Sequence, residues 1–228
     1  GGMRCPQRLT GVQPVSASIN STSDSDNGET RELEDSEIEE LVEAFATAAA
    51  RCEKAGFDGV EIHGAHGYLV CQFLGTETNR RDDRWGGPLE NRARFLLQII
   101  RRIRQVTSDD FLLGVRISPE YKNIGVVLED SLDLVDMLVD SGIDFLHISC
   151  WDCFTPPTHH DDPRMLTEIF AERLANRLPM ITCGAVWSTA QAQDVMNQGA
   201  DLVAVARSAI GHAEDRKSTR LNSSHQII

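Results

Sequence analysis

The run Gly59-Val60-Glu61-Ile62-His63-Gly64-Ala65-His66-Gly67-Tyr68 joins a short apolar strand pattern to two histidines and a tyrosine. Imidazole and phenol groups donate hydrogen bonds or protons near neutral pH. In a parallel α/β fold, chemistry is placed at the carboxyl ends of the strands. The run therefore predicts a strand over 59–63. It delivers His63 to that end, and His66 and Tyr68 to the glycine-punctuated turn beyond it.

Outward from this strand, helical and strand patterns alternate. Upstream, Ile38, Leu41, Val42, Phe45, Ala46 and Ala49 recur at helical spacing. Asp35 or Ser36 can cap that helix, with Glu39 completing a Ser-x-x-Glu capping box. Downstream, strands read over 112–118, 144–150, 180–184 and 202–207, and helices over 90–106, 129–141, 163–176 and 188–198. The strands are short and rich in Val, Ile and Leu, as expected when both faces are covered. Gly56, Gly142 and Gly199 lie just past helices, where the backbone turns left-handed. Repeated βα units with short connections imply a parallel sheet, either barrel or doubly wound. No strand is followed by G-x-G-x-x-G, and no G-x-x-x-x-G-K-[ST] occurs, which speaks against Rossmann and P-loop folds. A TIM (β/α)8 barrel needs eight strands. Only five are legible, so the barrel reading is of a truncated barrel.

Composition bounds the rest. A formal charge of -13 offers no basic stripe for nucleic acid. No apolar run approaches the roughly 20 residues that span a bilayer, and the first residues lack the apolar core of a signal peptide. The chain opens Gly1-Gly2 without Met, so its start is expected to lie further upstream. Six scattered cysteines suit reduced thiols in the cytoplasm, and the lone Cys150-x-x-Cys153 reads as coincidence. Residues 1–30 read as an irregular N-terminal connection and 31–214 as the folded domain. From Asp215 to His225 the chain matches, codon for codon, the translation of a common sequencing adapter. Residues 215–228 are therefore read as adapter read-through rather than native sequence.

Other candidates stand at further strand ends. Arg116 lies inside an apolar strand, where a guanidinium needs an anion or acceptors, either a ligand or an interior carboxylate such as Glu61. Gly184, Ala185, Ala206 and Arg207 close the last two strands, where barrels often cradle a phosphate with backbone N–H groups. His63, His66 and His147 together offer an alternative, a metal-dependent barrel hydrolase. The charge-dense run from Asn79 to Phe95 reads as an ion-paired loop leading into a helix, and His159-His160-Asp161-Asp162 as a solvated loop.

Together these motifs resemble the old yellow enzyme family of FMN-dependent ene reductases. The carrying residues are Gly56 to Leu69, Gln72-Phe73-Leu74, the N-x-R-x-D-x-W-G-G-x-x-E-N-R-x-R-F run, Arg116, and Gly199-Ala200-Asp201. The resemblance implies a TIM barrel with FMN at the carboxyl ends, the strand over 59–63 being the fourth, so that the first three strands are missing. It implies that His63 and His66 bind the carbonyl or nitro oxygen of an activated alkene, enone or nitro compound, and that Tyr68 is the proton donor. Arg116 would lie by the flavin pyrimidine, and Gly184, Ala185, Ala206 and Arg207 would hold the FMN phosphate. Ala185 and Ala206 depart from the Gly or Asn, and the Gly, often found in relatives. NADH or NADPH would be the reductant, in the same site and in ping-pong order. No metal, nucleic acid or membrane is implied, and the parent protein can form a homo-oligomer.

Overall fold

The computed structural model describes residues 1–158 and 161–211. The adapter-like residues 215–228 and the pair His159-His160 lie outside them. The chain divides into two compact units, one ending at Asp144 and the other starting at Phe145.

The first unit begins with a 3-10 turn, helix α1 (Gln7–Thr10) and a two-stranded parallel ribbon, β1 (Val15–Ser16) with β2 (Arg31–Glu32). The segment expected to be irregular thus carries short elements, and its polar Ser16, Ser18, Asn20 and Thr30 are buried. Helix α2 (Asp35–Lys54) buries Ile38, Val42, Ala46 and Ala49, the stripe its periodicity predicts. Its cap differs from expectation. The capping box is Glu34 with Glu37, not Ser36 with Glu39. Arg31 grips both Glu37 carboxylate oxygens at 2.7 Å, which holds that carboxylate where the Glu34 N–H donates to it at 2.8 Å. Asp35 is taken by Arg84 and by the indole N–H of Trp85.

Strand β3 (Gly59–Gly64) leads to the six-residue helix α3 (Leu69–Leu74), then α4 (Leu89–Arg92) and α5 (Arg94–Val106). The last two replace the single helix expected over 90–106, but Ala93 between them keeps right-handed helical angles. Strand β4 (Leu112–Ile117) pairs in parallel with β3, and α6 (Leu128–Asp140) follows. Phe95, Leu96, Ile99, Ile100 and Ile103 of α5 are buried, as are Ile62, Leu113, Val115 and Ile117 of the two strands. Phe95 meets Phe73 of α3, ring centroids 4.7 Å apart, so α3 is tied into this core.

The second unit holds β5 (Phe145–Ser149), α7 (Leu166–Leu174), β6 (Met180–Cys183), α8 (Thr189–Asn197), β7 (Leu202–Val203) and α9 (Arg207–Gly211). Strands β5, β6 and β7 pair in parallel. Ser188 caps α8 by accepting the Gln191 N–H at 3.2 Å. Strand β7 is shorter than the 202–207 expected, because the chain turns into α9. The six cysteines are reduced thiols. Burial pushes the Cys153 thiol up to about 12, so this member of the C-x-x-C pair is a packed thiol donating to the Gly184 carbonyl at 2.8 Å.

The charged run is only partly a solvated loop. Trp85 is fully buried and Arg81 and Arg92 nearly so, each guanidinium satisfied by main-chain carbonyls. A Cβ on Gly86 would stand 2.2 Å from the Arg81 carbonyl oxygen. Gly86→Ala should therefore cost roughly 1–3 kcal/mol, read as a lower urea midpoint with an unchanged slope. Ala185 sits at φ 54 with no glycine to permit it. Ala185→Gly should relieve a left-handed penalty of about 1 kcal/mol and raise the melting temperature by about 2–4 °C.

Candidate active site

Strand β3 ends at Gly64, and the chain reverses through Ala65, His66 and Gly67 before α3 begins after Tyr68. His66 has φ 60 and Gly67 φ 70, two consecutive left-handed residues. This geometry folds the turn back on the strand. The His63 and His66 rings meet edge to face with centroids 4.9 Å apart, and His63 and Tyr68 lie at 5.2 Å. The three groups singled out in the sequence are thus one cluster. Tyr68 is exposed and both imidazoles are half-buried, so the cluster is reachable by a ligand.

Neighbouring segments fix the turn. Ser118, just past β4, accepts the His66 N–H at 3.0 Å through its hydroxyl. A Cβ on Gly67 would stand 3.2 Å from both Tyr121 and Ile124, so the connection after β4 packs directly on the turn. Arg116 is the register partner of His63 on β4, which puts both on the same level of the parallel pair. Glu61, the interior carboxylate considered for Arg116, is exposed and registers instead with Gly114.

Gln72 has 0% exposure. Its amide N–H donates to the Gly67 carbonyl at 2.6 Å, and its amide oxygen accepts from the Ser16 hydroxyl at 2.9 Å. The sequence placed Gln72 in a motif without giving it work. A glutamine inside an otherwise apolar helix was the available signal, because a buried amide must be satisfied. Ser118 and Tyr121 carried no comparable signal.

In the second unit, Gly184 follows β6 at φ 145, and a Cβ there would come within 2.7 Å of the Cys150 carbonyl oxygen. Ala185 follows in left-handed conformation. After β7, Ala206 and Arg207 are exposed, and the Arg207 guanidinium lies 5.4 Å from the Trp187 ring centroid. The segments after β6 and β7 therefore meet through Trp187 and Arg207, and together they offer backbone N–H groups and a guanidinium. That donor chemistry fits a phosphate monoester such as that of FMN. His147 is buried on β5, registering with Ile181. Among the described residues no three His, Cys, Asp or Glu side chains gather as a metal site, so the hydrolase alternative finds no support. Nor is any helix among them long and apolar enough to cross a membrane.

The chain is similar to known proteins. A family model described as the NADH:flavin oxidoreductase / NADH oxidase family matches residues 2–218. The probable NADH-dependent flavin oxidoreductase YqiG of Bacillus subtilis is 40% identical over 91% of this chain and 57% of its own length. The NADH:fumarate oxidoreductase of Klebsiella pneumoniae is 36% identical over 94% of this chain and 24% of its own. This chain thus spans about half, or less, of these relatives. The solved old yellow enzyme homologue from Zymomonas mobilis superposes with a TM-score of 0.77 at 28% identity, covering 100% of this chain and 67% of that one. The parallel βα units are therefore part of a TIM barrel. The chain belongs to the NADH:flavin oxidoreductase / NADH oxidase family, that of the old yellow enzymes.

Proposed function

We propose that the protein is an FMN-dependent oxidoreductase that uses NADH or NADPH to reduce an activated alkene or a similar small acceptor. The observation that carries this reading is the packing of His63, His66 and Tyr68 into one accessible cluster at the carboxyl end of β3. Bound FMN supplies hydride transfer, chemistry that no side chain offers.

The chain's own residues supply binding and protons. His63 and His66 donate hydrogen bonds to the acceptor's carbonyl, carboxylate or nitro oxygen, which gains negative charge as the alkene is reduced. Tyr68, beside His63, delivers a proton to the α-carbon. Its exposure lets the phenol be reprotonated from water. Arg116, level with His63, would help hold the flavin and supply it a fixed positive charge. In the second unit the backbone of Gly184 and Ala185, with Ala206 and Arg207, would hold the phosphate. A relative that by name acts on fumarate, an alkene activated by carboxylates, supports this acceptor class.

The purified full-length parent protein should show flavin absorbance that NADH or NADPH bleaches and an enone or fumarate restores. Replacing both histidines (His63→Ala with His66→Ala) should raise the acceptor KM on the order of 10–100-fold, the cost of losing charge-assisted hydrogen bonds. Flavin reduction by the nicotinamide should survive. Unchanged acceptor binding would remove the histidines from the site. Tyr68→Phe should slow reoxidation by an alkene roughly 10²–10⁴-fold and leave reoxidation by an acceptor needing no carbon protonation, such as a quinone, near normal. Equal loss with both acceptors would count against a proton-donor role.

A further inference from the structure

The turn carrying His66 and Tyr68 is held from behind by a chain of hydrogen bonds that runs one way. Arg80 donates to the side-chain oxygen of Asn20 at 2.9 Å. The Asn20 amide N–H donates to the Ser16 hydroxyl at 3.0 Å. Ser16 donates in turn to the Gln72 amide oxygen at 2.9 Å, and the Gln72 N–H donates to the Gly67 carbonyl at 2.6 Å. The amide orientations are set by partners that cannot reverse, and the Ser18 and Thr78 carbonyls, each 2.9 Å from the Asn20 amide nitrogen, share its two protons with Ser16. Arginine can only donate, so it faces the oxygen of Asn20 and leaves the amide nitrogen pointing to Ser16. Ser16, having accepted, spends its one proton on Gln72. The Met3 N–H also donates to that Gln72 oxygen at 3.2 Å, so the amide nitrogen must face Gly67. Ser16 and Gln72 have 0% exposure and Asn20 has 7%, so water competes little with the bonds among these three, and bonds aligned in series polarise one another.

We infer that Gln72 is a positioning residue for the His66–Tyr68 turn, locked in one amide orientation by the chain from Arg80 through Asn20 and Ser16. Gly67 lies between His66 and Tyr68, and its carbonyl is what Gln72 grips. His66 and Gly67 are both left-handed, a conformation His66 adopts at a cost. The grip on the carbonyl opposes relaxation of that backbone. The N-terminal segment, which touches no reacting group in this reading, thereby sets the spacing of the imidazole and the phenol. The functional consequence rests on the oxidoreductase reading above, but the mechanical one does not.

The test is amide hydrogen exchange of the whole chain, unmutated and as Gln72→Met and Ser16→Ala. Gln72→Met keeps the side-chain length and removes the donor. Amides of His66, Gly67 and Tyr68 should exchange on the order of tenfold faster in it, with the amides of α5 unchanged. Ser16→Ala should loosen the same amides by a smaller factor. Unchanged exchange at the turn in Gln72→Met would overturn the inference. If Gln72→Met loses protection throughout, Ser16→Ala decides: faster exchange at the turn supports the coupling, and an effect confined to residues before Leu33 refutes it. Acceptor kinetics add a second readout, in which Gln72→Met should raise the acceptor KM and lower kcat while nicotinamide-driven flavin reduction is kept. Absence of flavin or acceptor reduction in the unmutated full-length parent would defeat the oxidoreductase reading and leave the exchange result standing.

Discussion

Helix α3 is six residues long, too short to hold itself together, and the candidate site hangs from its first turn. Its stability comes from groups that grip its ends. At the carboxyl end, Arg92 donates to the Leu74 carbonyl and Asn79 to the Phe73 carbonyl at 2.7 Å. These are carbonyls that a helix end leaves without intrahelical partners. At the amino end Gln72 reaches back to the Gly67 carbonyl. Arg92 is almost fully buried and answered by Asp130 at 2.8 Å, so its charge is compensated where it would otherwise be very costly. Arg81 does the same work for the N-terminal segment, taking the Ala17 and Leu33 carbonyls at 3.0 and 2.8 Å. The charge-dense run from Asn79 to Phe95 is a clasp that satisfies backbone groups irregular chain would leave stranded.

Parallel pairing supplies the second constraint. Because side chains alternate along a strand, a slip of one residue between β3 and β4 would send Arg116 to the opposite face from His63. The register is pinned at its start by Gly59. A Cβ there would come within 2.4 Å of the Leu112 carbonyl oxygen, so the strands approach where only glycine fits. Asp144 adds a further pin by accepting the Leu113 N–H and the Arg104 guanidinium, each at 2.6 Å. The level placement of His63 and Arg116 is thus fixed from the far end of the strands, away from any chemistry.

Much of this was legible in the sequence, for identifiable reasons. The α2 stripe and the five strands stand out because long or fully covered elements write their burial into residue type. Helix α3 was not legible, since Val70 to Leu74 are all buried and a helix apolar on every side shows no period. The α2 cap was misplaced because Asp35 and Ser36 are better intrinsic caps than Glu34. What reversed the preference was tertiary. Arg31 holds Glu37, while Arg84 and Trp85 occupy Asp35. The cluster of His63, His66 and Tyr68 was legible as three neighbours at a strand end. Its support was not, because Ser16 lies 56 residues before the Gln72 it steadies.

The left-handed histidine shows how stability and geometry are traded here. A non-glycine residue at φ 60 costs about 1–2 kcal/mol, and glycine at position 66 would remove that cost. It would also remove the imidazole that meets His63 at 4.9 Å. With Ala65 and Gly67 buried on either side, no neighbouring position could present that ring to the same space. The strain is therefore retained and held by fixed partners, the Ser118 hydroxyl on the His66 N–H and the Gln72 amide on the next carbonyl. Gly67 carries the second left-handed angle without that cost, and its missing side chain leaves the room that Tyr121 and Ile124 fill. The order His-Gly-Tyr thus places this turn's strain on the residue whose side chain meets His63 in the candidate site.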